Sequence, residues 1–165
     1  MFVLDAATGE LLDDIPTYTS GTTAAGSTGS PSGLGQLNAW VDNSRLGVAD
    51  RVYGGDMQGN LWRIDFDDNH LPAGKEAVLI ASLKDGAATP NAQPISVRPE
   101  LAEIDVAGTK YPLIMVGTGR YLGDSDISDL SQQTIYGIKD TLASVTPINV
   151  CLLYTSDAAD EGLGV

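Results

Sequence analysis

A short, aromatic-led segment recurs along this chain, and each copy reads as one β-strand. Phe2-Val3-Leu4-Asp5 matches Trp62-Arg63-Ile64-Asp65 and, more loosely, Tyr136-Gly137-Ile138-Lys139, at intervals of about sixty to seventy residues. Spacing of that size marks a repeat architecture, in which one supersecondary unit buries its faces only by stacking on its neighbours. A chain built this way is constrained to a stack or ring of similar sheets.

The stretches between the copies fill in the unit. Residues 37–41, 51–55, 60–66 and 77–83 have extended character, and polar or glycine-containing turns separate them. In the third of these, Trp62, Ile64 and Phe66 fall on one face and Leu61, Arg63 and Asp65 on the other, by the two-residue period of a strand. A second unit begins at residues 95–97 and 102–105. It continues through a strand at 111–116, a polar loop from Gly123 to Gln133, and a strand at 134–138. Residues 2–12 read as a hairpin turning at Ala6-Ala7-Thr8-Gly9, the end of a unit whose earlier strands lie outside this chain. Repeated four-stranded meanders are the blades of a β-propeller. The expectation is therefore all-β: a partial propeller of about two four-stranded blades plus the end of a preceding one. In such an arc Trp62 and Tyr136 do not share one sealed core. Its open blade faces predict that residues 1–150 alone do not form a stable monomer.

Two segments stand apart. Residues 16–36 are rich in Gly, Ser, Thr and Ala, and read as a surface loop, since so little apolar surface repays poorly the entropy of ordering it. Residues 151–165 resemble the translation of a sequencing adapter, which divides the chain into a propeller domain at 1–150 and an artefactual or disordered tail. Cys151, the single cysteine, lies in that tail and says nothing of redox compartment.

Three motifs carry a family resemblance. The sixteen residues from Asp50 to Asp65, the Val116-Gly117-Thr118-Gly119-Arg120-Tyr121 element and the Gln133–Asp140 stretch together resemble the C-terminal β-propeller domain of the PilC/PilY family of type IV pilus-associated proteins. The resemblance covers roughly residues 1–145. It implies a noncatalytic part of a protein that serves pilus biogenesis, retraction control and adhesion, exported through the periplasm and outer membrane to the bacterial surface or pilus tip. Its implied partners are minor pilins or other tip components, a host surface, and the missing blades of the parent chain. Two other propeller classes stand as alternatives. One is a quinoprotein-type dehydrogenase, suggested by the repeat from Leu4 to Leu11; the other is a scaffold for outer-membrane protein assembly.

Some members of the family bind calcium in a loop just before the Arg-Val-Tyr strand. Here Asp42, Ser44 and Asp50 match ligand positions of that loop and Gly47 its central glycine, while Leu46 brings no side-chain oxygen where another ligand belongs. Calcium takes six to eight oxygens. The competing reading is a tight polar loop, with Gly47 at positive φ and Asp42 and Asp50 in turn hydrogen bonds.

Composition narrows the remaining chemistry. With 22 acidic and 9 basic residues the net charge is −13, a balance that disfavours binding to nucleic-acid phosphates. Residues 1–44 carry five acids and no Lys or Arg. No apolar run reaches the length of a membrane-spanning helix. Met1-Phe2-Val3-Leu4 runs directly into Asp5, so an export signal is expected upstream, in the parent chain. His70, the single histidine, sits in a polar turn, and no zinc motif surrounds it. Gly117-Thr118-Gly119-Arg120 lacks the Lys-Ser/Thr ending of a phosphate loop. Asp124, Asp126 and Asp129 alternate in a loop without the central glycine of a calcium site. No nucleophile has a motif-spaced base, and no catalytic residue is assigned.

Overall fold

The computed structural model describes residues 1–20, 23–42, 47–66 and 77–142. Within them the chain is β throughout, apart from one 3-10 turn at Asp124–Ser128. It opens with a hairpin of β1 (Phe2–Leu4) and β2 (Leu11–Asp14). The Asp5 carboxylate closes the turn by accepting the Ala7 and Thr8 amides and the Thr8 hydroxyl at 2.7–2.9 Å, and Gly9 leaves it at φ +73°. These are the roles for which turns select Asp, Thr and Gly.

The first full unit is an antiparallel meander of β5 (Leu34–Trp40), β6 (Arg51–Asp56), β7 (Asn60–Asp65) and β8 (Ala77–Ser82), paired in chain order. Its tight β6–β7 turn hangs on one carboxylate. Asp56 accepts the amides of Gln58 and Asn60, the Asn60 side-chain amide and the Trp62 indole, all at 2.9–3.0 Å. Gly59 completes the turn at φ +78°, where an added Cβ would stand 2.5 Å from the Leu83 carbonyl oxygen. Register places Trp62 opposite Gly54 and Ile64 opposite Val52 on one face, with Arg63 opposite Tyr53 and Leu61 opposite Gly55 on the other, as the alternation predicts. Every residue of β7 is buried, so both faces of this sheet are covered.

The second unit has three strands among the described residues, one fewer than expected. β10 (Thr109–Gly117) lies between β9 (Glu100–Val106) and β11 (Ile135–Lys139). Ala107 and Gly108, both at positive φ, make the tight β9–β10 turn. Residues 95–97, expected to begin this unit, do not form a strand of the sheet; Ile95 makes an isolated parallel bridge to Gly119 instead. Its side chain fills the space left by Gly55, where a Cβ would lie 2.2 Å from the Ile95 Cβ. The inner faces of the two sheets meet in one core of Tyr53, Leu61, Ile80, Leu83, Ile95, Ile114, Val116, Tyr136 and Ile138. Trp62 is buried on the opposite face of its sheet, so it and Tyr136 do not share that core. The arrangement is that of adjacent propeller blades.

The low-complexity stretch departs from expectation. Leu34–Gln36 belong to β5, and Tyr18–Ser20 (β3) and Thr23–Ala24 (β4) form a small hairpin packed along β8. Ile15 and Ala25 are buried beside it. The Ser32 carbonyl accepts the Met57 amide, and the Gln58 side chain donates to the Ser30 carbonyl. Backbone hydrogen bonding and small side chains dock this segment where apolar content alone gives no reason for it. Residues 143–165, including Cys151 and the suspected tail, lie outside the described residues.

The Gly55–Ile95 contact makes a direct test. Gly55→Ala overfills the seam between the sheets and is expected to cost about 1–3 kcal/mol. Gly86→Ala, where nothing lies within 4 Å of the added Cβ, is expected to stay within about 0.5 kcal/mol. Thermal unfolding of both variants compares them; equal midpoints would contradict the packing described.

Candidate functional site

The expected calcium loop leaves β5 and returns into β6. Its ends are brought together: the Asp42 amide donates to the Asp50 carboxylate, and the Asp50 amide donates to the Trp40 carbonyl at 2.9 Å. Gly47 stands at φ +63°. Both features match the tight-turn reading. Ser44 and Leu46 lie outside the described residues. The Asp42 carboxylate is already engaged, one oxygen accepting the Trp40 indole at 2.6 Å and the other the Arg51 guanidinium at 2.5 Å. The guanidinium also lies 5.9 Å from the centre of the Trp40 ring, within cation–π range.

Behind this loop a line of charges runs into the protein. Arg51 faces Asp65 at 3.7 Å, Asp65 accepts the Arg63 Nε at 2.8 Å, and Arg63 donates through Nη1 to both Asp140 oxygens at 2.9 and 3.0 Å. The Tyr53 hydroxyl donates to Asp140 at 2.9 Å, and the Leu142 amide closes the end. Arg63 is fully buried in the seam, and Asp140 reaches it from just past β11, so the contact joins the two sheets across 77 residues of sequence. Burial pulls the Arg63 guanidinium down, but Asp140 and Asp65 outweigh it and hold its pKa above the ordinary value. Burial first, then the Asp140 charge, pushes the Tyr53 hydroxyl far above the usual tyrosine range.

Sequence reasoning placed Arg63 only on a strand face and missed this line. One signal was available: a cation in β7 between Leu61-Trp62 and Ile64, in a strand otherwise suited to burial, requires a buried partner.

The other sequence candidates resolve separately. Asp126 is buried and holds its own loop, accepting the Leu122 and Gly123 amides and the Arg120 guanidinium; the Leu122 amide and then Arg120 keep it below the usual carboxylate range. Asp129 accepts the Ser131 amide instead. Among the described residues no three acids, histidines or cysteines converge on a metal-sized centre. The amides of Thr118 and Gly119 donate to the Thr134 and Pro94 carbonyls, so this Gly-Thr-Gly element has spent the groups a phosphate would need. His70 lies outside the described residues. An open groove of about 510 Å³ beside the β6–β7 turn is lined by Gln58, Asn60, Ser82 and Lys84. The Gln58 amide donates to the Ser30 carbonyl, the Asn60 amide to Asp56, and the Ser82 hydroxyl to Asn60 Oδ1.

Tyr53 supplies a pH test. Its folded pKa is raised, so its contribution is complete below the unfolded value near 10 and is lost as pH climbs past it toward the folded value. Urea unfolding between pH 7 and 11 is expected to show stability falling steeply above about pH 10. Tyr53→Phe is expected to lose about 1.5–3 kcal/mol at pH 7, from the bond to a charged acceptor, and to flatten that alkaline fall. An unchanged alkaline slope in the variant would contradict the assignment.

Comparison with known proteins agrees with this architecture. The family described as the PilY1 beta-propeller domain matches residues 11–150. A type IV pilus biogenesis factor PilY1 homolog of Xylella fastidiosa is 40% identical over 111 residues, 67% of this chain and 8% of the relative. The type IV pilus biogenesis factor PilY1 of Pseudomonas aeruginosa is 35% identical over 137 residues, 70% of this chain and 11% of the relative. The crystal structure of the Pseudomonas aeruginosa PilY1 C-terminal domain superposes with a TM-score of 0.66 at 29% identity, covering 88% of this chain and 33% of the other. The chain thus spans about a tenth of the length of these curated relatives and a third of the solved domain.

Proposed function

This chain belongs to the PilY1 β-propeller family, and on that premise we propose that it is a noncatalytic arc of a type IV pilus biogenesis factor. The observation that carries the reading is the pairing of family membership with open apolar surface at both ends of the arc. Phe2, Leu4, Leu11 and Leu12 are exposed on the first hairpin. On the outer face of the second sheet Met115 and Ile135 are exposed, beside the half-buried Leu113 and Tyr111. Blade faces of this kind are covered by neighbouring blades in a ring. The repeat from Leu4 to Leu11, which suggested a quinoprotein, is accounted for by the Asp5 turn that shapes it.

Within that reading the protein acts at the bacterial surface or pilus tip, restrains retraction and contributes to adhesion, with minor pilins, other tip components or a host surface as partners. Among the described residues no helix is long and apolar enough to cross a membrane. Removing the segment equivalent to residues 1–142 from the parent gene is expected to abolish surface pili. If piliation returns when the retraction motor is also removed, retraction control is supported; unchanged piliation after the first deletion would contradict the pilus reading.

The 42–50 loop enters the same reading as a degenerate calcium loop. Asp42, Ser44 and Asp50 offer two carboxylates and a hydroxyl against the six to eight oxygens calcium takes. Trp40 and Arg51 already engage Asp42, so these residues do not fit a tight calcium site. Calorimetric titration with calcium is expected to give no submicromolar binding, and Leu46→Asp is expected to strengthen what binding there is. Submicromolar affinity that vanishes in Asp50→Ala would overturn this.

A further inference from the structure

The two blades differ most at one rim. The β6–β7 turn of the first blade, closed by Asp56, uses the three residues 57–59; its counterpart between β10 and β11 runs from residue 118 to 134. The two lie at the same end of their sheets, since Ile95 donates its amide to the Asp56 carbonyl and bridges Gly119. The longer connection is therefore an insertion on the rim and not part of the blade-to-blade seam.

This insertion is braced by hydrogen bonds and displays apolar side chains. Asp126 ties Arg120, Leu122 and Gly123 together, the 3-10 turn spans Asp124–Ser128, and the Asp129 amide returns to the Asp126 carbonyl. The base is fixed by Gln93, whose side-chain amide donates to the Gln132 carbonyl and the Thr134 hydroxyl. Around this frame Tyr121, Leu122, Ile127 and Leu130 are exposed at 76, 70, 64 and 96%. Four large apolar side chains held outward within ten residues exceed the scattered exposure usual on protein surfaces, and repeat proteins place binding insertions on one rim. Ordering the loop in advance also removes an entropic cost from association.

We propose that this rim loop is a docking surface for a separate protein that presents an apolar segment flanked by lysine or arginine. Charge selects this occupant. Asp124 and Asp129 are exposed on the same loop, and the chain carries a net charge of −13, so a second copy would bring like charge to like. A neighbouring blade packs on sheet faces, and the loop stands at their rim. The identification of the partner as a pilus component rests on the pilus reading above; the surface itself does not.

The test uses the family-length propeller that contains this segment, as wild type and as a variant with Leu122→Ser, Ile127→Ser and Leu130→Ser. These side chains are exposed, so thermal unfolding is expected to be unchanged. Binding is measured to a synthetic peptide of alternating leucine and lysine, to its leucine–glutamate counterpart, and to purified minor pilins. The leucine–lysine peptide is expected to bind the wild type, to weaken with salt, and to lose at least about tenfold in affinity to the variant. The leucine–glutamate peptide is expected not to bind. Equal binding by wild type and variant, equal binding of both peptides, or a variant with a markedly lower unfolding midpoint would overturn the proposal. So would light scattering showing a wild-type dimer that the variant abolishes, or variant-sensitive binding to phosphatidylcholine vesicles in place of the peptide. Peptide binding without pilin binding would sustain the surface and count against the pilus partner.

Discussion

Arg63 carries a full charge into the seam between two sheets, and the way that charge is met determines how the sheets sit. Its guanidinium faces two carboxylates: Asp65 on its own strand and Asp140 from the other blade. A buried ion pair is weak evidence for stability by itself, because desolvation offsets much of its attraction. Its geometric demand is stronger. Asp140 meets Arg63 and Tyr53 together across the seam, a directional contact that apolar packing alone does not supply. Removing Asp140 leaves Arg63 with Asp65 alone, and removing Arg63 leaves the buried Asp140 with only the Tyr53 hydroxyl and the Leu142 amide.

The rest of the arc follows from making that seam tight. Gly55 is empty where Ile95 enters, and Gly59 lets the β6–β7 turn approach the Leu83 and Gln93 carbonyls. Asp56 closes that turn with four hydrogen bonds and orients Trp62 away from the seam. The 42–50 loop is connected to the same frame, because Arg51 links Asp42 at the surface to Asp65 in the interior.

Much of this was legible from pattern. The strands of the first meander, the face assignments in β7, the Asp5 and Gly59 turns and the positive φ of Gly47 follow from alternation and turn chemistry. The parts that were not legible share a cause: they depend on partners distant in sequence. Asp140 lies 77 residues from Arg63, and its role is invisible until β11 is placed. Ile95 looked like the start of a strand because its neighbours are extended, yet its side chain is fixed by a missing Cβ at Gly55. The 16–36 stretch looked like a loop by composition, but its backbone groups find partners at Met57 and Gln58. The apolar rim loop was read only for its acids, since exposure is a property of the folded chain.

The central claim is that the Arg63–Asp140 contact couples the two blades, and a double-mutant cycle tests it most directly. Arg63→Met, Asp140→Leu and the pair would be compared by urea unfolding in the family-length propeller. Each single change is expected to cost about 3–5 kcal/mol by breaking a buried ion pair. The double change is expected to cost less than the sum of the two, with a coupling of about 2 kcal/mol or more. Additive costs, with coupling below about 0.5 kcal/mol, would show that the two residues act independently and that the apolar seam alone sets the fit of the blades.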